Sequence, residues 1–378
     1  MYVLILPSWY FEADSDSIAG KNFHALALAL VGQGIDARVY FAHYSMKGPA
    51  KMQMTSGIEE GVQTYRVRQW FPPKVHKYII NQWIEKYTDG LVNYFSEYGK
   101  PDILHAHSYQ AAMVAESVKL KTGIPYVYTE HLSDFLHDHI PSAYRFLIKK
   151  GIQNADRITA VSPVLKENLL NYVSGNIDVI PNFYNSKIFI HKEVDKHKTF
   201  TWVSVGEPAY VKGYDLLIKA FGKLYANIQG GSMQLILIDD IRDKPELEKL
   251  ARECGVEQLI IWKSLLSPVE LADVLQHSHV YISASRYETF GTAMVEAQAC
   301  GLPVVATRTA GAEYILMSPD QGVLTETESV DSLLSGMREL FLKYSQYSYQ
   351  KIGQIVFERF NREKITSQWI HLYKDVKA

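Results

Sequence analysis

An α/β protein built from two doubly wound parallel sheets is the fold class this chain predicts, on three observations. Short apolar runs alternate with helical patterns along the whole sequence, which places helices on both faces of a parallel sheet. The 378 residues exceed what one compact core usually supports. The alternation lapses over residues 190–199, which are polar and aperiodic, and then restarts.

In order, residues 2–6 read as a strand, 22–30 as a helix ending near Gly32, and 36–41 as a second strand. Residues 45–62 hold three glycines and read as irregular. Short buried strands follow at 103–105, 126–129, 158–161 and 177–180. Residues 190–199 are the linker candidate. Beyond them, strands are expected at 200–205, 234–238, 259–261, 280–283 and 304–307, and residues 331–377 are helical in pattern. Ligands in such sheets bind outside the carboxyl ends of the strands.

Composition narrows the function classes. Hydrophobic residues make up 47% and charged residues 21%, as in ordinary globular proteins. A formal net charge of −2 gives no nucleic-acid footprint. Cys254 and Cys300 fit a reduced compartment and have no metal-ligand spacing. The N-terminus lacks a basic region and its apolar run is too short for a signal peptide; no run approaches eighteen apolar residues. The expected location is the cytoplasm. Of the 25 tyrosines and 6 tryptophans, several interleave with cations between Tyr65 and Tyr87, including Arg66, Arg68, Trp70, Phe71, Lys74, His76, Lys77, Tyr78 and Trp83. That mix suits peripheral contact with the inner face of the plasma membrane. It suits an acceptor groove or an amphipathic helix with aromatic packing as well.

Residues 286–297, Arg-Tyr-Glu-Thr-Phe-Gly-Thr-Ala-Met-Val-Glu-Ala, join the strand at 280–283 to a helix running from Thr292 to Cys300. Gly301 closes that helix and Pro303 stops it. Glu288 falls in the loop and Glu296, eight positions on, in the first turns. The amides of Phe290, Gly291 and Thr292 lie at the helix's positive end, where unpaired N–H groups and the macrodipole favour a diphosphate. A carboxylate a turn or so further on can accept from both hydroxyls of a ribose. A glutamate pair alone reads as solvated charge; the full run in a strand-loop-helix setting points to a nucleotide.

Continued through Ala297-Gln298-Ala299-Cys300-Gly301-Leu302-Pro303 into Gly311-Ala312-Glu313, the run resembles the donor signature of retaining GT-B glycosyltransferases, glycosyltransferase group 1 (family 4-like). The resemblance implies two Rossmann-like domains facing across a cleft. It implies an acceptor domain at 1–192, a donor domain at 199–360, and a last helix, 361–378, returning to the first. It places Glu288 beside the donor sugar and Glu296 on the ribose.

Other segments fit the same family. Gly20 precedes a helix and corresponds to a glycine loop that contacts donor phosphate or acceptor. Asp14-Ser15-Asp16 mimics a metal-binding pair of another transferase class, but capping of the following helix accounts for it. His105 and His107 alternate on one strand face without a carboxylate or thiol at ligand spacing, so no metal is assigned. His137 and His139 read as a solvated loop. The resemblance sets His131 against the donor sugar, with Glu130 orienting it or binding acceptor. Val203-Ser204-Val205-Gly206-Glu207 and Lys212-Gly213 match the family's diphosphate loop, so Gly206 and Lys212 are donor-site candidates. Glu207 stands where the family carries arginine. A like charge at about 5 Å costs roughly 3 kcal/mol at an effective dielectric near 20. Either Glu207 turns away, or Arg286 or Arg308 compensates, or donor binding is weakened. Asp239-Asp240 replaces a glycine-rich turn beside the base, and Asn182 approaches the hinge.

The implied reaction moves a sugar from a nucleoside diphosphate sugar to a hydroxyl of a glycan or lipid-linked glycan, with retained configuration. Glu288, His131 and Lys212 would act in catalysis, the leaving phosphate would assist deprotonation, and no metal or other cofactor is required. The family context is bacterial surface polysaccharide synthesis. Two alternatives stand: a GT-B epimerase or hydrolase consuming donor alone, and a silent GT-B scaffold favoured by Glu207 and Asp239-Asp240.

Overall fold

The computed structural model describes residues 1–11, 20–45, 48–49, 51–70, 79–206, 209–228, 232–238 and 244–377. They form two compact units, Met1–Pro181 with Ile365–Ala378, and Asn182–Lys364.

The first unit runs β1 (Tyr2–Pro7), α1 (Lys21–Gly32), β2 (Asp36–Ser45), β3 (Gln53–Glu59), β4 (Val62–Trp70), α2 (Ile80–Tyr98), β5 (Ile103–His107), α3 (Ser108–Thr122), β6 (Tyr126–Glu130), α4 (Arg145–Gln153), β7 (Arg157–Ala160), α5 (Pro163–Leu169) and β8 (Ile177–Val179). Its eight strands lie in the order β3-β4-β2-β1-β5-β6-β7-β8. All pairs are parallel except β3 with β4. The order reverses between β1 and β5, in register from Val3 opposite Ile103 to Pro7 opposite His107. Residues 45–62, expected to be irregular, contain the edge strand β3. Its side chains are mostly exposed, so no alternation of apolar and polar residues marks it in sequence.

The second unit runs β9 (Phe200–Val205), α6 (Ala209–Lys212), α7 (Tyr214–Asn227), β10 (Met233–Ile238), α8 (Lys244–Glu253), β11 (Ile260–Lys263), α9 (Pro268–His277), β12 (Val280–Ser283), α10 (Thr292–Ala299), β13 (Val304–Thr307), α11 (Ala310–Ile315), β14 (Gly322–Thr325), α12 (Val330–Lys343) and α13 (Tyr349–Phe360). Its six parallel strands lie in the order β11-β10-β9-β12-β13-β14. A buried core of Trp202, Leu217, Phe221, Leu235, Ile282 and Met337 packs helices onto the sheet. Start signals in the sequence are used as such: Pro268 opens α9, and Ser267 and Glu270 cap it reciprocally. The short edge strand β14 shows no sequence signal because its Gly-Val-Leu-Thr run is only half-buried and begins with glycine.

The division between the units falls at Pro181–Asn182, not in residues 190–199. That polar segment packs on the second unit: Lys196 Nζ donates to the Gln276 carbonyl at 2.7 Å and the His197 amide donates to the His277 carbonyl at 3.0 Å. The boundaries expected at 192 and 199 therefore move to 181 and 182. The last helix, α14 (Arg362–Lys377), lies mostly in the first unit, which resumes at Ile365. No helix among the described residues is long and apolar enough to cross a membrane.

The aromatic-basic stretch divides. Tyr65 and Tyr87 are core residues, their rings against Tyr94 and Tyr40. Arg66 pairs with Glu59 at 2.7 Å, while Arg68 and Trp70 are exposed. Phe71, Lys74, His76, Lys77 and Tyr78 lie outside the described residues.

Candidate active site

In the second unit the strand order reverses between β9 and β12, the position outside whose carboxyl ends open α/β sheets bind ligands. The loop after β9 carries Gly206 and Lys212; the loop after β12 carries Glu288, Phe290 and Gly291. The fold brings the two together. Lys212 Nζ donates to Glu288 Oε2 at 2.6 Å, with the side chains 19% and 18% exposed. Gly206, at φ +130°, lets the lysine stem cross it, since a Cβ there would stand 2.5 Å from Lys212 Cε.

Glu288 is held from behind. Its carbonyl accepts from the Gly311 amide at 2.9 Å, and Gly311 lies so close to the Phe290 backbone that any side chain would collide. The Phe290 ring is buried against Phe360 and Tyr314. Gly291 opens α10 at φ +96°. The amides of Phe290, Gly291, Thr292 and Ala293 find no backbone acceptor among the described residues, as expected at a helix start. Glu296 is half-buried, with no hydrogen-bond or ion-pair partner among them. Burial pushes its carboxyl up to about 8, so it holds a proton at neutral pH until something polar reaches it. The buried Tyr281 phenol is raised by burial first, then by Glu288 and Glu296, which places both glutamates about one point of β12.

Two expected phosphate cations are engaged elsewhere. Arg286 is buried and forks onto Asp215, Nη1 to Oδ1 at 2.8 Å and Nη2 to Oδ2 at 2.9 Å. Arg308 pairs with Glu326 at 3.0 Å and Glu313 at 3.6 Å. Glu207, Asp239 and Asp240, like Asp14 and Asp16, lie outside the described residues. Asn182 is half-buried where the second unit begins and makes no side-chain hydrogen bond among the described residues.

In the first unit, Gly20 caps α1 at φ +79°, pressed on the Trp9–Tyr10 backbone, where a Cβ would come within 2.8 Å of the Trp9 carbonyl. Phe23, in the first turn, packs against His107 and His131 with ring centroids 4.6 and 5.1 Å away. His131 Nε2 and His107 Nδ1 are 2.9 Å apart. His105 stacks on His107 at 3.9 Å and is fixed by Thr129 Oγ1 and the Tyr373 hydroxyl, each at 2.7 Å. Burial drives His131 down to about 3 and holds His105 and His107 well below their ordinary range, so all three rings are neutral. Among the described residues no group of three or more His, Cys, Asp or Glu could hold a metal ion.

Glu130 departs from both roles expected of it. Its side chain is fully buried, Oε2 taken by the Tyr128 hydroxyl and Oε1 by the amides of His131 and Leu132 at 2.7 and 2.8 Å. It orients the backbone that carries His131, not the ring, and has no oxygen left for an acceptor. Burial pushes it up to about 7 against those hydrogen bonds.

The model described as glycosyl transferases group 1 matches residues 186–354, and that of glycosyltransferase family 4 matches residues 19–187. The chain belongs to the group 1 glycosyltransferases. It is an enzyme with the GT-B fold. N-acetyl-alpha-D-glucosaminyl L-malate synthase of Bacillus anthracis is 25% identical over 296 residues, 73% of this chain and 75% of that protein. Sucrose-phosphate synthase from Thermosynechococcus elongatus superposes with a TM-score of 0.81 at 19% identity, covering 100% of this chain and 99% of that one. The Anabaena protein HepE, solved in complex with UDP, superposes at 0.74 with 17% identity over 99% and 100%.

Sequence reasoning missed Tyr281 and Asp215 in this glycosyltransferase, and named Glu130 without the inward-turned contacts it makes. Tyr281 reads only as strand filling. Asp215 sits three positions after Lys212, and its partner Arg286 two before Glu288, a pairing no local spacing announces. Glu130 follows an apolar strand with no sign that its carboxylate turns inward.

Proposed function

We propose that the protein transfers a hexosyl unit from a nucleoside diphosphate sugar to an acceptor hydroxyl, with retention at the anomeric carbon. The observation that carries this reading is the Lys212–Glu288 pair beside four amides at the start of α10 that find no backbone acceptor among the described residues. Cleavage of the sugar–phosphate bond builds negative charge on the leaving diphosphate, which preorganised donors stabilise. Lys212 and the amides of Phe290, Gly291 and Thr292 supply them, without a metal. Glu288 positions the sugar through its hydroxyls, and His131, neutral, donates or accepts at the sugar from the first unit. Glu296 takes the ribose, whose hydroxyls give its carboxyl the partners it lacks. Gly206 and Asn182 serve the donor in the second unit, and Gly20 serves a ligand loop of the first. The acceptor is a glycan or lipid-linked glycan of a bacterial surface polysaccharide, met in the cytoplasm or at the inner face of the membrane.

HepE has also been solved with UDP-glucose, which makes that donor the first to try. The test incubates the enzyme with UDP-, GDP- and ADP-sugars in the presence of EDTA, with and without a glycan acceptor, and follows the anomeric signals of the glycosylated acceptor by NMR. Turnover with the α-donor configuration kept in the product supports the reading. Binding of none of the three nucleotides, or inversion, defeats it.

A further inference from the structure

Lys212 closes α6, a helix of four residues, Ala209–Lys212. One turn of helix fixes several dihedral angles for very few hydrogen bonds, so it does not hold itself in place. What holds it is Arg286. The Arg286 amide donates to the Val211 carbonyl at 2.8 Å, and Nη1 donates to the Tyr210 carbonyl at 2.6 Å, which also takes the Gly213 amide at 3.1 Å. The guanidinium then forks onto Asp215, three residues beyond Lys212, and lies 4.3 Å over the Tyr210 ring. Contacts thus fall on both sides of the lysine, at 210–211 and at 215. Glu328, on the loop after β14 with φ +55°, puts Oε1 2.6 Å from Nε and completes the surround.

We propose that Arg286, gripped by Asp215, is the residue that positions Lys212 for the donor's diphosphate and does not itself touch phosphate. Two carboxylates already face the guanidinium, so a third anion there meets net negative charge. A planar fork is also required, because the same group must satisfy a carbonyl and both Asp215 oxygens at once. The proposal deepens the transferase reading and rests on Lys212 as the diphosphate cation.

Titration of UDP, GDP and ADP by calorimetry into the wild type, Arg286→Met, Lys212→Ala and the double variant tests it. Arg286→Met weakens the preferred nucleotide about tenfold, within the range of coupled neighbours. In the Lys212→Ala background the same change adds nothing. Arg286→Lys, which keeps the charge without the fork, recovers only part. Additive losses, or unchanged affinity in a folded Arg286→Met protein, overturn the proposal. If Arg286→Met fails to fold, Asp215→Asn carries the same comparison. A second readout needs no nucleotide: the rate at which an amine-reactive reagent labels Lys212, mapped by mass spectrometry. It rises in Arg286→Met and Asp215→Asn when the clamp is what seats the lysine against Glu288, and an unchanged rate refutes that. If no nucleotide binds the wild type, the donor reading fails while labelling still decides the clamp.

Discussion

Both units place chemistry where the strand order reverses, yet they load that position differently. After β9 and β12 stand a lysine paired with one glutamate, a second glutamate, and a row of amides, the last two without a partner among the described residues. After β1, β5 and β6 stand three imidazoles, kept neutral by burial, and a carboxylate whose oxygens are all taken. The first arrangement is open to an anion and gains when one arrives. The second holds its carboxylate fully bonded but leaves His107 Nε2 and His131 Nδ1 buried without a partner among the described residues, so it offers neutral hydrogen-bonding groups.

The comparison is broken most sharply at Lys212. Lys212→Ala lowers turnover of donor by ~100–1000-fold if the charged side meets the leaving group, measured as kcat with saturating donor. A rise confined to KM, with kcat unchanged, assigns the lysine to uniform binding instead. Next comes Glu296. Its folded pKa, about 8, lies above the ordinary 4.5, so its contribution to stability is full below pH 4.5 and is lost as pH rises through 8. Glu296→Gln removes that loss: thermal melts should match the wild type near pH 4 and exceed it at pH 9 by up to ~3 kcal/mol. A constant difference across pH contradicts the unpartnered carboxyl.

Two smaller effects probe the satisfied side. Glu130→Ala strips the acceptor from the His131 and Leu132 amides and should cost about 2 kcal/mol in urea denaturation. Stability unchanged by that substitution means the loop is held by something else. Tyr373→Phe leaves His105 Nδ1 without its hydroxyl and should cost about 1 kcal/mol, with nucleotide affinity unaltered. Altered affinity would tie the imidazole row to the donor more directly than its hydrogen bonds indicate.

Much of this was legible in the sequence, for physical reasons that vary along the chain. β9, β12 and β13 are buried on both faces, so their mostly apolar, β-branched and aromatic runs announced them residue for residue. The loop from Glu288 to Thr292 was legible because a glycine at positive φ before a helix is a local signal. β3 was not, since an exposed edge strand has no pattern to show. Nor were the roles of Arg286 and Glu130, which depend on partners brought in by the sheet: Asp215 stands 71 positions away from Arg286. The polar character of 190–199 misled because hydrogen bonds to Gln276 and His277, not apolar burial, dock it.

Because Ile365–Ala378 completes the first unit, the ribosome delivers the two units in inverted order. Domains usually fold from the amino end as they emerge. Here the second, whole within 182–364, can finish while the earlier one waits with His105 and Trp369's docking face bare. Asp102 then receives Lys377 at 2.9 Å beside the Tyr2 amide at 2.7 Å, joining α14 to β1. A nascent chain stalled near residue 360 should therefore be a strong client for holding chaperones, and release of the final helix should end that need.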